Sequence, residues 1–238
     1  MPTPLSDAEI QEFRNRLCAE AELQFLRNGV AAVTMRSLAS AMGCSATTPY
    51  RYFKNKNEIL AAVRVAILDR FCEKLEAIRR DDGLEWTNAH LKAFVDFAFE
   101  EPESYRLIFD LYQSDENEYP EFVRANERAR KVGYGYVQKL VEDGYQQGDP
   151  EQLASLFFAQ LHGLIVLRMT GRPSSTREQF DKMCHEAFRM ISRGTSPLRA
   201  SRATAGSKTV GKAAAKTTRQ SAGSARGGQG TKRAARKS

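Results

Sequence analysis

At 238 residues with 42% hydrophobic side chains, the chain allows one or two domains and has ample material for a core. Its formal charge of +7 is unevenly spread: residues 194–238 hold eleven Lys or Arg and no acid, leaving 25 bases against 29 acids, a balance of −4, in residues 1–193. The four cysteines, Cys18, Cys44, Cys72 and Cys184, share no metal-ligand or redox spacing, which argues against a zinc site or a disulfide framework and suits reduced thiols of a cytosolic protein.

The N-terminus lacks a basic region followed by an apolar run, so no secretory signal is read. Ser6 and Glu9 have capping-box spacing and open a first helix. Ile10, Phe13, Leu17, Ala21 and Phe25 give it an apolar stripe, and Gly29 closes it. Thr34 caps a short second helix with Met35, Leu38, Ala39 and Met42 on one face, and Gly43 supplies the sharp turn after it. Ser45 opens a further short helix. Two short helices joined by a Gly turn describe a helix-turn-helix, whose second helix enters the DNA major groove.

The residue types in that stretch suit DNA. Ala46, Thr47 and Thr48 are small and permit close approach to base edges, and Thr can bond a base or touch a thymine methyl. Tyr50, Arg51, Tyr52, Lys54 and Lys56 are common phosphate contacts. Phe53 reads as a buried pin. Cys44 reads as a small packing residue or, alternatively, as a redox sensor inside the motif.

Thr34, Arg36, Leu38, Ala39, Gly43, Ser45, Thr48, Tyr50, Tyr52, Phe53, Lys56 and Leu60 match in order and spacing a known signature. On these positions, over the first quarter of the chain, the sequence resembles the tetracycline-repressor (TetR) family of bacterial transcriptional regulators. Pro49 departs from the pattern, where the family more often has an aliphatic residue. The resemblance implies a DNA-binding head over residues 1–60, with Thr34, Arg36, Ser45, Ala46, Thr47, Thr48, Tyr50, Arg51, Tyr52 and Lys56 toward DNA. It also implies a bacterial, cytoplasmic, nucleoid-associated regulator.

Asn55 and Glu58 start a long helix with Ile59, Leu60, Val63, Ile67, Phe71, Leu75 and Ile78 on one face, and Asp81-Asp82-Gly83 ends it. Lys56 lies in its first turn, where free amides also favour phosphate. Trp86 to Phe99 reads as a helix, Pro102 starts the next, and Gln113 to Tyr119 is a polar loop. Pro120 to Gln147 is mostly helical, with Gly133 and Gly135 predicting a bend or close packing. Asp149 caps a helix from Pro150 to about Met169, and Ser175 and Glu178 cap a last one to Ile191. Leu153 to Met169 is the most apolar stretch, but Ser155, Gln160, His162 and Arg168 interrupt it, so it is not read as a membrane span. No strand pattern or repeat emerges. The predicted fold is all-α, about nine helices, with a helical body over residues 61–193 and a disordered basic tail over 194–238.

Leu153 to Leu167 is apolar nearly all round, which calls for burial on more than one side. A homodimer through the helices at about 150–169 and 175–191 would supply the second side, as the family's final helices do, and would match a palindromic site. The body's many aromatics suit an apolar or aromatic small-molecule effector, with Tyr105, Phe109, Tyr134 and His162 as candidate lining; in the family such a ligand moves the helix after the motif. The tail suits a mobile polycation that neutralises phosphates. The leading function is a ligand-responsive repressor; the alternative is a constitutive architectural DNA-binding protein dominated by its tail. Three His (His90, His162, His185), with no nucleophile elbow, glycine phosphate loop or metal spacing, give no support to an enzyme, a metal or a cofactor.

Overall fold

Helix α1 (Asp7–Asn28) begins where Ser6 and Glu9 satisfy each other's backbone amides, and it ends at Gly29, whose φ of 77° suits only glycine comfortably. Helix α2 (Met35–Ala41) has the same device at its start. The Thr34 hydroxyl accepts from the Ser37 amide, and the Ser37 hydroxyl accepts from Thr34. Helix α3 (Lys56–Glu76) starts at Asn55, whose side chain accepts from the Glu58 amide at 2.9 Å. These starts follow from short-range sequence and match its reading.

The computed structural model describes residues 6–111, 116–172 and 176–195. The basic tail from residue 196, Ser175, Tyr112 and residues 113–115 of the predicted polar loop lie outside them. Among the described residues there are eight α-helices and no strand. The remaining five are α4 (Gly83–Glu100), α5 (Pro102–Tyr105), α6 (Pro120–Glu142), α7 (Pro150–Met169) and α8 (Arg177–Thr195). Pro occupies the first position of α5, α6 and α7, where its missing N–H costs nothing.

Three local readings change. The helix predicted from Ser45 is instead a turn followed by a 3-10 turn, Pro49–Arg51. Pro49 has no amide to return a helical bond to Ser45, and the Thr48 amide closes a tighter ring onto the Ser45 carbonyl at 2.9 Å. That accounts for eight α-helices where the sequence suggests nine. Second, α3 stops at Glu76, and Asp82 looks forward: its carboxylate accepts from the Leu84 and Glu85 amides and caps α4. Third, α8 is capped by Thr176, whose hydroxyl accepts from the Gln179 amide, while the Gln179 side chain accepts from the Thr176 amide.

The described residues belong to one compact unit. A single apolar cluster runs from Leu17, Ala21 and Phe25 of α1 through Leu38 and Phe53 to Val95, Tyr105, Phe122 and Phe180. The boundary suggested at residue 60 falls inside α3, which packs against α1 on one side and α6 on the other. A smaller cluster, Val137, Leu140, Leu153 and Phe157, joins α6 to α7. Residues of α6 continue as helix through Gly133 and Gly135, without a break.

The tight glycine contact is at Gly83 instead. A Cβ there would lie 3.0 Å from the Leu140 nitrogen and the Lys139 carbonyl carbon, so the start of α4 sits directly on the end of α6. The Gly83 amide also donates to the Asp143 carboxylate at 2.7 Å. Gly83→Ala should therefore destabilise by about 1–3 kcal/mol through overpacking. Gly133→Ala has open space for its methyl and should be neutral or stabilising by up to about 1 kcal/mol. Urea unfolding of the two variants separates these outcomes.

Candidate nucleic-acid interface and ligand cavity

The helix-turn-helix surface is built on a buried seat. Phe53 is 2% exposed, Pro49 is buried, and Tyr52 stacks on Phe13 with ring centroids 4.1 Å apart. Arg14 of α1 ties the turn down: its guanidinium lies 4.0 Å from the Phe53 ring centroid, donates to the Tyr52 carbonyl, and sits 3.8 Å from Glu58. The buried Pro49 explains the departure from the family pattern, because it fills an apolar slot as an aliphatic residue would.

Above this seat, Thr34, Arg36, Ser45, Ala46, Thr47, Tyr50 and Arg51 are exposed, and Thr48 is half-buried. Tyr50 is 57% exposed and projects from the 3-10 turn. The Ser45 hydroxyl lies 3.0 Å from that of Thr47 and 2.8 Å from that of Thr48, so the three hydroxyls form one polar cluster. Ser45 thus spends its hydroxyl on neighbouring side chains instead of acting as the predicted cap. Tyr52 differs from its neighbours in the predicted DNA set, since its ring is engaged with α1. Lys56 donates from Nζ to the Val30 carbonyl at 2.8 Å, which holds its charge beside the segment leading into α2.

The body holds a cavity of about 940 Å³. Five helices line it: Phe71 and Leu75 from α3; Thr87, His90, Leu91 and Phe94 from α4; Gly133, Tyr134 and Tyr136 from α6; Phe157, Phe158, Leu161 and Leu164 from α7; Cys184, Ala187 and Phe188 from α8. Phe109 enters from a π-helical turn, Arg106–Asp110. Exposed Glu127, Arg130, Lys131, Asp149 and Glu151 form the rim, where Arg130 and Glu151 pair at 2.8 Å.

Of the four residues the sequence suggests for this lining, Phe109 and Tyr134 line the cavity. Tyr105 and His162 do not. Tyr105 is fully buried, and its hydroxyl meets His162 Nδ1 at 2.7 Å. The pair stands behind the wall, with His162 stacked on Phe158 and in edge contact with Phe109. Their polar tips satisfy each other. His90 and Tyr136, which the sequence reading passed over, occupy the lining instead. Their signal is positional: His90 shares a helix face with Thr87 and Phe94.

Two models of protein families match the chain: "Bacterial regulatory proteins, tetR family" over residues 17–63, and "Tetracyclin repressor-like, C-terminal domain" over residues 88–191. Together they span more than half of it. The chain belongs to the TetR family. Two HTH-type transcriptional regulators of Mycobacterium tuberculosis, both uncharacterized, from strains CDC 1551 and H37Rv, are 26% identical over 150 residues. That match covers 61% of this chain and 62% of theirs, less than two-thirds of their length. Among solved structures, a protein of unknown function from Rhodococcus sp. RHA1 superposes with a TM-score of 0.67 at 22% identity, covering 82% of this chain and all of that one. A TetR-family regulator from Pectobacterium atrosepticum gives 0.61 at 23% identity, covering 81% and 98%. A transcriptional regulator from Saccharomonospora viridis, solved in complex with choline, gives 0.59 at 18% identity, covering 74% and 95%. These structural likenesses establish the fold.

Within this TetR-family body, α3 and α6 are clamped outside the cavity. Arg128 donates to both Glu76 oxygens at 2.9 and 2.7 Å and to Asp69 at 2.8 Å. Those bonds hold the Glu76 carboxyl below its ordinary range. Arg128 sits between cavity-lining neighbours Glu127 and Ala129, so the clamp joins the cavity wall to α3. Burial pushes the Cys18 and Cys72 thiols up to about 11 and Cys184 to about 12, so these three add no reactive group here.

Burial pulls the His90 pKa below its ordinary 6.5, only partly offset by its bond to the Trp86 carbonyl. In the window below 6.5 the unfolded chain binds a proton that the native imidazole refuses, so stability falls as pH drops through it. Urea midpoints should be lower near pH 5.5 than near pH 7.5, and His90→Gln should narrow that difference.

Proposed function

We propose that this chain is a ligand-responsive transcriptional repressor that binds a palindromic operator as a homodimer and lets go when its cavity fills. The observation that carries the reading is the continuity of α3. Its first turn presents Lys56 beside the helix-turn-helix, and its later turns place Phe71 and Leu75 in the cavity wall. A ligand pressing on that wall acts on the same rigid element that seats the reading head. Arg128 is the second attachment of that element to the wall. A neighbour of the same fold holds choline, which supports a ligand site in such a body.

The dimer rests on what α7 leaves uncovered. By length and composition alone it is apolar enough to cross a membrane. It packs in the bundle against α6 and α8 through buried Leu153, Phe157 and Ile165, while most of its apolar length stays uncovered. Leu156, Gly163 and Leu167 fall on one stripe, with Leu156 53% and Leu167 47% exposed. Met190 of α8 is also exposed. An apolar stripe with a glycine at its centre suits a second copy of the same helix crossing closely. Soluble, cytoplasmic action on DNA follows from this reading, with the basic tail as an accessory for phosphate.

Sedimentation and DNA titration test it together. The wild-type protein should be a dimer at micromolar concentration. Leu156→Glu with Leu167→Glu should give monomers and at least tenfold weaker DNA binding. Lys56→Ala should weaken all sequences about equally and reduce the salt slope by about one unit. A monomeric wild type, or DNA affinity indifferent to the double substitution, would remove the proposal.

A further inference from the structure

One polar pair in the cavity lining lies side by side. His90 is 3% exposed, and its Nδ1 lies 3.1 Å from the Trp86 carbonyl oxygen. A carbonyl only accepts, so Nδ1 carries the proton and Nε2 keeps a lone pair. Tyr136 stands next to it, with ring centroids 5.0 Å apart and the planes tilted by 34°. Both residues line the cavity. Among the described residues, none bonds His90 Nε2 or the Tyr136 hydroxyl. The corner therefore offers one acceptor and one hydroxyl side by side in a chamber also lined by Asn126, Tyr134, Ser155 and Gln160, and an unmet polar group buried that deeply is costly.

Next to this corner runs an aromatic wall. Phe71, Phe94 and Phe109 lie with centroids 5.4 to 5.7 Å apart, and Phe158 is 5.7 Å from Phe109. Rings in mutual contact leave no gap in which several faces could enclose a cation. The carboxylates of the lining are at the exposed rim, and Glu151 there is already paired with Arg130. A cation deep in the cavity would meet neither a cage nor a countercharge. An anion at the corner would face the imidazole lone pair.

We infer that the cavity takes an uncharged aromatic or polycyclic molecule bearing a hydroxyl, which donates to His90 Nε2 and accepts from the Tyr136 hydroxyl while its rings lie on Phe94 and Phe109. A hydroxyl performs both parts at a single atom; an ether or ketone cannot donate, and an ammonium cannot accept. Both protein groups are neutral at pH 7, since burial lowers the His90 pKa and pushes Tyr136 up to about 12. The inference rests on the effector-binding part of the proposed function and deepens it.

Calorimetry on the full chain with 2-naphthol, naphthalene and tetramethylammonium as probes tests it. Wild-type protein should bind 2-naphthol at least tenfold more tightly than naphthalene, about 1.4 kcal/mol, and tetramethylammonium not measurably. Tyr136→Phe, which removes one oxygen and keeps the ring, should weaken 2-naphthol about tenfold and leave naphthalene unchanged; His90→Leu should do the same. No binding of 2-naphthol, equal binding of naphthalene, tighter binding of the cation, or indifference to Tyr136→Phe would each overturn the inference. DNA titration of the unliganded wild type in parallel keeps the two readings apart. Loss of DNA binding defeats the regulator and leaves the probe affinities standing, whereas failure of the probes leaves the regulator intact.

Discussion

Everything in this fold depends on one helix being buried from two directions. α3 is about 32 Å long at the ordinary helical rise, and its residues Ile59, Val63, Ile67 and Leu68 have essentially no exposure. One side completes the core of the reading head with α1, and the other completes the core of the body with α6. Neither half has an apolar core of its own that excludes it. Such a helix is poorly placed to bend, because both flanks are close-packed, so displacement at one end is transmitted along its length. Arg64, 2% exposed within α3, sharpens this constraint. Its guanidinium lies 4.0 Å from the Phe122 ring of α6 and donates to the Leu111 carbonyl at 3.3 Å. A charge that deep is tolerated only where its surroundings hold it, and its surroundings here are the segments that border the cavity.

The cavity and the head are thus two users of the same packing. The π-helical turn carries Phe109 into the cavity and ends at Leu111, whose carbonyl meets Arg64. Irregular helical turns of this kind recur at functional sites because they re-aim side chains that a regular helix would bury elsewhere. A ligand that moves Phe109 or Phe71 therefore pushes on α3 through side chains in direct contact, with Arg128 and its two carboxylates as an outer strap. The strap is half-exposed, which makes it a weak tether in energy and a good guide in geometry.

Much of this was legible in the residues because the deciding signals are local. Ser6, Thr34, Asn55 and Asp149 cap the helices they precede, and the three prolines start the helices they open, since each acts within one turn of its own position. The apolar stripes of α1 and α3 likewise predicted their buried faces. What failed were choices between equivalent local partners. Asp82 caps forward onto α4 instead of closing α3, and Pro49 tightens the recognition segment into a 3-10 turn. Two of the four residues suggested for the cavity lie outside its lining for a related reason. Tyr105 and His162 carry polar tips on apolar faces, as His90 and Tyr136 do, but the first pair meets across 57 positions of sequence and satisfies itself. Only the packing of α5 against α7 decides which pair is left facing the cavity. Of the residues proposed to face DNA, Thr47 and Tyr50 are exposed, whereas the stacking of Tyr52 on Phe13 was not legible in the sequence.

The central claim is that the exposed turn between α2 and α3 reads a defined sequence, twice, on a two-fold axis. Selection of bound duplexes from a random pool by the full chain, repeated with the chain cut after residue 195 at low and moderate salt, addresses it most directly. The account predicts enrichment of one inverted repeat by both forms, its half-sites about one helical turn or a multiple of it apart. Enrichment of no sequence by the shortened chain, with salt-sensitive binding of any duplex by the full one, would contradict it.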